Sequence, residues 1–354
     1  MVVRRIFNIF FDDDILSSRK LARLGRHKYQ SSGKSLMDST AIMKSYWSWV
    51  GRQYPRWLAP NVLTVCGLFL DFLGFLVLAY YSPDGKQEAP RWVYFFCALT
   101  LFGHQTLDAT DGIHARNTGT SSPLGEFFDH GCDSLAQVFI SLQFYMCLQY
   151  GHTPDLFIAL YITAVSIFYL AHWQAYVSGM IYFNQFDVTE GQICLFAVFV
   201  ATGICGPEVW STEVLSVPLK YYIMAFSFTF VIVNTVHYFN MILSEGAGKA
   251  GSTVADTSII FPMIPLLTVI ASPILIYRAS ISDYYDDNIV LFCLACGLIS
   301  SKRALNIIVA NMTRSSLDCC DSILWGPALV LVNYKVFNTA IPEDLCLYFL
   351  LASL

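Results

Sequence analysis

Nine apolar runs dominate the chain, at about 62–81, 92–110, 127–149, 155–178, 190–205, 219–243, 257–277, 288–310 and 323–337. Each is close to the ~20 residues that cross a hydrocarbon core, and Leu345–Leu354 offers the start of a tenth. A backbone in lipid must satisfy its own hydrogen bonds, so runs of this length predict helices. Composition agrees: 55% of residues are hydrophobic and 13% charged, against roughly 25% charged in soluble domains. No sequence period and no inverted pair of broken helices is visible. The predicted fold is all-α: a polytopic integral membrane protein of nine to ten transmembrane helices joined by short loops.

The ends of the first span set its direction. Of 21 Lys and Arg, 11 lie in the first 60 residues with four acidic residues, which by the positive-inside rule predicts a cytosolic N-terminus. The opening "MVVRRIFNIFFDDD" lacks the small-residue cleavage site of a secretory signal, so the first span is expected to be retained. Four units follow: a basic cytosolic arm over 1–45 with no packed domain of its own, an aromatic and cationic stretch over 46–60, a membrane core over 61–245, and C-terminal helices over 246–354. Trp47, Trp49, Tyr54 and Trp57 with Arg52 and Arg56 suit a helix in the headgroup layer, or an ordinary aromatic anchor. Cys293 and Cys296 have CxxC spacing without a second pair, and burial is expected for both.

One polar constellation interrupts this apolar chain. Asp108 and Asp111 lie about 60° apart around a helix, and Asp129 and Asp133 about 40° apart. Between the pairs, "NTGTSSP" (Asn117–Pro123) is a turn sequence. The second and third spans are therefore expected to form a helical hairpin with four carboxylates near its cytosolic end. Such carboxylates repel one another and are costly to desolvate unless a cation neutralises them. Hard divalent ions take oxygen ligands, and two Mg²⁺ (with Mn²⁺ as a substitute) would leave positions open for a diphosphate, the two-metal arrangement for displacement at phosphorus. Gly112 and Ala115 beside Asp111, with Gly125 and Gly131 opposite, would let a flat nucleotide approach the backbone, or let the helices pack closely.

The stretch "DATDGIHARNTGTSSPLGEFFDHGCD" resembles the signature D-x2-D-G-x2-A-R-x8-G-x3-D-x3-D of the CDP-alcohol phosphatidyltransferase class I family. It matches at every fixed position from Asp108 to Asp133. "HKYQSSGKSL", "RWLAPNVLT", "AHWQAYVSG", "GAGKAGSTVADTS" and "ANMTRS" are similar to segments of the eukaryotic choline/ethanolamine phosphotransferase subgroup. The resemblance runs from about residue 16 to about 335, and the C-terminus departs from it in looking shorter.

The resemblance implies Mg²⁺-dependent transfer of phosphocholine or phosphoethanolamine from a CDP-alcohol to diacylglycerol, with release of CMP. In that reading Asp108, Asp111, Asp129 and Asp133 bind metal, Arg116 contacts a phosphate bidentately, and Asn61 contacts the nucleotide or caps the first span. Two residues compete for the general base. Asp133 is the base assigned in many relatives, but a metal-bound carboxylate is a weakened one; His130 has an ordinary pKa near ~6.5, suited to proton transfer, and is favoured. Glu126 is placed to hydrogen-bond His130 or steer the second metal, with a solvated carboxylate as the alternative. His172, Trp173 and Tyr176 could contribute to a cage for a quaternary ammonium, although packing is the simpler role. The expected partners are CDP-choline or CDP-ethanolamine, diacylglycerol, membrane lipids and a second copy in a homodimer, with no nucleic acid. The family implies the endoplasmic reticulum, Golgi or nuclear envelope. A transporter, its path lined by Asp71, His104, His172 and His237, is the competing class, and CMP release separates the two.

Overall fold

A computed structural model describes residues 17–33, 35–246, 253–255, 257–317 and 324–352. Regular structure is helical apart from three pairs of two-residue strands. In chain order the helices are α1 (Ser18–Leu24), α2 (Leu36–Ser39), α3 (Ala41–Gln53), α4 (Pro60–Tyr81), α5 (Arg91–Thr118), α6 (Pro123–Cys147), α7 (Pro154–Ser178), α8 (Val188–Cys205), α9 (Leu219–Met241), α10 (Met263–Ala279), α11 (Tyr284–Asp287), α12 (Ile289–Thr313), α13 (Trp325–Lys335) and α14 (Glu343–Ala352).

Among the described residues, five helices are long and apolar enough to cross a membrane: α4, α7, α8, the helix beginning at Leu219, and α12. The expectation of nine to ten spans is therefore supported only in part. The hairpin arms α5 and α6 have the length, at 28 and 25 residues, but carry the polar site. At ~1.5 Å per residue, α13 and α14, with 11 and 10 residues, are each about half the length that a ~30 Å core requires.

The hairpin forms where its turn chemistry predicts. Helix α5 runs eight residues past the apolar run ending at 110, so both of its aspartates sit on ordered helix. It stops at Gly119, whose φ of 69° suits glycine best. Ser122 then caps α6 by accepting from the Gly125 amide at 3.1 Å, and Pro123 occupies the first turn, where a missing N–H costs nothing. The two arms touch each other little. Instead α4 lies along both of them, and α12 supports α6 and α7.

The core of the bundle is chiefly apolar. Leu78, Val93, Cys97, Leu142, Cys147, Phe157, Phe292 and Cys293 are fully buried. Cys293 and Cys296 are free thiols in that core, in keeping with their spacing without a second pair. Helix α3 packs on α5 with Trp47 turned inward, at 6% exposure, while Trp49 and Trp57 face outward at 58% and 83%. Tyr54 Oη lies 2.9 Å from Thr110 Oγ1, and His114 Nε2 lies 2.9 Å from the Leu58 carbonyl. The described part of the arm is likewise bound to the bundle: Ser31–Ser32 (β1) pairs in parallel with Ile181–Tyr182 (β2) just beyond α7. Asp12–Asp14 and most of "GAGKAGSTVADTS" lie outside the described residues.

Candidate active site

Helix periodicity brings the aspartates of each arm onto one face, and α4 sets the distance between the arms. The carboxyl groups of Asp108 and Asp133, of Asp108 and Asp129, and of Asp111 and Asp129 lie within hydrogen-bonding reach of one another. Asp111 also accepts from Thr64 Oγ1 on α4. Oδ1 of Asp129 is buried without a hydrogen-bond partner. Among the described residues, no Lys or Arg lines the cavity onto which Asp108, Asp129 and Asp133 open. A cluster of this kind calls for a cation, because each carboxylate raises the cost of ionising the next.

Sequence reasoning missed one member of the cluster. His104, one turn before Asp108 on α5, contributes a ring nitrogen that lies with oxygens of Asp108 and Asp133 inside a 4.8 Å group, a candidate metal site. The i,i+4 spacing of His104 and Asp108 was the available signal. Behind it, Asp71 of α4 is fully buried, with Oδ2 3.1 Å from His104 Nδ1 in a contact too poorly aligned to be a hydrogen bond. The usual support for a metal-ligating imidazole is a hydrogen bond from its other ring nitrogen to a carboxylate, and Asp71 stands beside His104 Nδ1 without making one here. The polar residues that suggested a transport path therefore gather mostly at the aspartates: Asp71 and His104 behind them, and His172 beside His130, ring centroids 5.3 Å apart.

The remaining candidates divide clearly. His130 and Asp133 both face the cavity. Asn61 is not the cap of α4, since Ala59 holds that position and Pro60 the first turn; its Oδ1 would stand 3.6 Å from a Cβ on Gly125, across the mouth of the hairpin. Arg116 is exposed and reaches back over Gly112, where an added Cβ would meet Nη1 at 3.3 Å. Gly112 and Ala115 are half-buried on the same two turns. Glu126 does not take the role expected beside His130: its oxygens lie 2.9 and 3.1 Å from Nε2 of His27, in the arm. Trp173 and Tyr176 are packed away from the cavity, donating to the carbonyls of Ile259 at 2.8 Å and Ser315 at 3.0 Å, so of that trio only His172 lines it.

The cavity encloses about 820 Å³. Its aspartate end is covered by Tyr29, whose ring lies edge-on to His130 at 6.0 Å. Away from the aspartates the wall becomes apolar, with Phe144, Leu160, Leu195 and Phe226. Asp187, in the loop before α8, also faces it; burial raises its carboxyl above the usual range, opposed by hydrogen bonds from the Asn184 amide at 2.7 Å and from Tyr238 Oη at 3.2 Å. Tyr29 lies in the quoted segment "HKYQSSGKSL", which marked the stretch but not this side chain, and Asp187 lies in none of the quoted segments.

A sequence model described as CDP-alcohol phosphatidyltransferase matches residues 57–233, which include the whole hairpin. The chain is 39% identical over 335 residues to Cholinephosphotransferase 1 of Xenopus laevis, covering 94% of this chain and 83% of the relative. It is equally similar, at 39% over 335 residues, to the human protein of the same name, covering 94% and 82%. Against an uncharacterized CDP-alcohol phosphatidyltransferase class-I family protein 2 of Dictyostelium discoideum it is 29% identical over 330 residues, covering 93% and 77%. Taken with the aspartate hairpin, these similarities establish that the chain belongs to the CDP-alcohol phosphatidyltransferase family.

Proposed function

We propose that the protein transfers the phosphocholine group of CDP-choline to the free hydroxyl of diacylglycerol, giving phosphatidylcholine and CMP. The observation that carries this reading is a single cavity with Asp108, Asp129 and Asp133 at one end, Asp111 close behind them, and an apolar interior. A diphosphate suits the first and acyl chains the second. The choline head group follows the named relatives.

The donor set fits divalent metal: hard oxygen ligands, an unpartnered buried Asp129 Oδ1 and no competing cation in the cavity wall. Asp108, Asp111, Asp129 and Asp133 would hold two Mg²⁺, with His104 as a further ligand or support. Bound there, the metal would supply charge neutralisation for the diphosphate and the leaving group. Arg116 adds a guanidinium for a phosphate oxygen, and Asn61 a contact at the hairpin mouth. His130 accepts the proton from the diacylglycerol hydroxyl as that oxygen bonds to the phosphorus bearing choline. The bond from this phosphorus to the bridging oxygen breaks, and CMP leaves with that oxygen. Tyr29 and the apolar wall exclude water, which would otherwise compete as acceptor.

Carried with this reading are a cytosolic active site, an endomembrane location and a homodimer through the C-terminal helices. A monomeric mass by light scattering in mild detergent excludes the last. The deciding experiment is CMP release by purified protein with diacylglycerol and Mg²⁺, comparing CDP-choline with CDP-ethanolamine. Release from CDP-choline, lost in Asp129→Ala, supports the reading. Preference for CDP-ethanolamine changes the head group, and no release from either by folded protein rejects the reaction.

A further inference from the structure

Residues 23–30 form a strap between two cavities of opposite charge. Tyr29 belongs to the aspartate-lined cavity, whereas His27 and Lys28 line a second, of about 530 Å³. Arg23 and Arg26 extend the strap's side of that cavity, and Arg314, just beyond α12, faces them. Among the described residues, no Asp or Glu lines it. Among the described residues, none of the ion pairs involves Arg23, Arg26, Lys28 or Arg314.

This grouping is built rather than incidental. Arg314 adopts a left-handed backbone, φ 47°, as the C-cap of α12. Its carbonyl accepts from Arg23 Nη1 at 2.7 Å, which ties the strap to the end of α12. Its guanidinium lies against Gly179, where a Cβ would stand 2.6 Å from Nη2. Gly179 itself has φ 87°, so backbone shape and side-chain space both call for glycine. Four cations gathered with no counter-charge among the described residues repel one another, and guanidinium forks match phosphate oxygens in geometry.

We propose that this cavity binds a phosphate group, apart from the site of transfer, and that its occupant holds the strap over the aspartate cavity. The connection is short. His27 lines the basic cavity and reaches Glu126 at 2.9 Å, one turn before Asp129, while the next-but-one residue, Tyr29, lies against His130. Phosphate of this kind has two sources: the head group of an anionic lipid at the membrane surface, or a free phosphate from solution. Binding is independent of the proposed reaction; only an effect of the strap on turnover rests on it.

The test is hydrogen exchange of residues 23–32 in the full-length protein in nanodiscs, which reads binding without turnover. The conditions are phosphatidylcholine alone, phosphatidylcholine with phosphatidic acid, and phosphatidylcholine with inorganic phosphate. Severalfold slower exchange with phosphatidic acid alone assigns the lipid, and slowing with inorganic phosphate as well assigns any accessible phosphate. Arg23→Gln and Arg314→Gln should each weaken the effect about tenfold in ligand concentration. Arg314→Lys should fall between them and the parent protein, and Lys335→Gln, exposed on α13, should match the parent. Unchanged exchange in both ligand conditions overturns the proposal, as does an undiminished response in Arg314→Gln.

Discussion

The acidic and basic cavities on either side of the strap are built in different ways. The acidic one takes its chemistry from two adjacent helices, at three- and four-residue spacings, within the 26 residues from Asp108 to Asp133. The basic one collects Arg23, Lys28, Gly179 and Arg314 from three distant parts of the chain. Both concentrate like charge, which is unfavourable unless a ligand of opposite sign enters. The acidic cavity continues into an apolar interior, which suits a ligand with acyl chains; the basic one presents the exposed cations Arg26, Lys28 and Arg314. On the readings proposed above, the first is arranged for chemistry and the second for holding.

The comparison breaks first at the aspartates. Asp129→Ala should lower CMP release by roughly a thousandfold or more. In chelator, Asp129→Asn should raise the unfolding temperature, because one of several crowded carboxylates is removed, while its gain in unfolding temperature on adding Mg²⁺ should shrink. An unfolding temperature that does not rise would mean that the cluster is not electrostatically strained. His130→Ala should reduce turnover by about a hundredfold to ten-thousandfold while Mg²⁺-dependent CDP-choline binding, followed by calorimetry, persists. Retained turnover would return the proton to Asp133.

Smaller effects sharpen the contrast. Filling the apolar part of the acidic cavity with Ala164→Leu, two turns from His172 on α7, should raise the KM for diacylglycerol about tenfold, an effect on the order of one lost hydrophobic contact, and leave that for CDP-choline unchanged. Equal changes in both would place the acyl chains elsewhere. Gly179→Ala should lower stability by about 1–2 kcal/mol through its left-handed backbone and displace the Arg314 guanidinium, read together as a lower unfolding temperature and faster exchange at residues 23–32. Smallest, His27→Ala should free the strap from Glu126 and alter turnover by roughly threefold, in line with a partly buried pair worth under about 1 kcal/mol. A loss as large as that of His130→Ala would make His27 part of the chemistry.

Much of the acidic site is legible in the amino-acid sequence. Asp108, Asp111, Asp129 and Asp133 share faces by helical periodicity, and the Gly119 and Ser122–Pro123 caps obey local rules. His104 is within reach of the same rule, one turn before Asp108, but a lone intramembrane histidine among scattered polar residues does not stand out. Asp71 is not within reach, since only packing of α4 on α5 places it beside His104. The helical membrane character is likewise legible in the apolar runs, but their number is not the number of spans: five of the described helices have the length and hydropathy to cross, and α13 stops after 11 residues.

By itself the sequence determined a helical membrane chain with a turn-linked pair of aspartate-bearing helices, because apolar run length, periodicity and capping act over a few residues. Tertiary structure decided which surfaces meet: that His27 takes Glu126 across 99 positions, that Arg23 reaches the Arg314 carbonyl across 291, and that Tyr29 covers His130. These contacts depend on where the strap leaves α1 and joins the strand beyond α7. That path is set by the packing of the whole bundle, on which local spacing is silent.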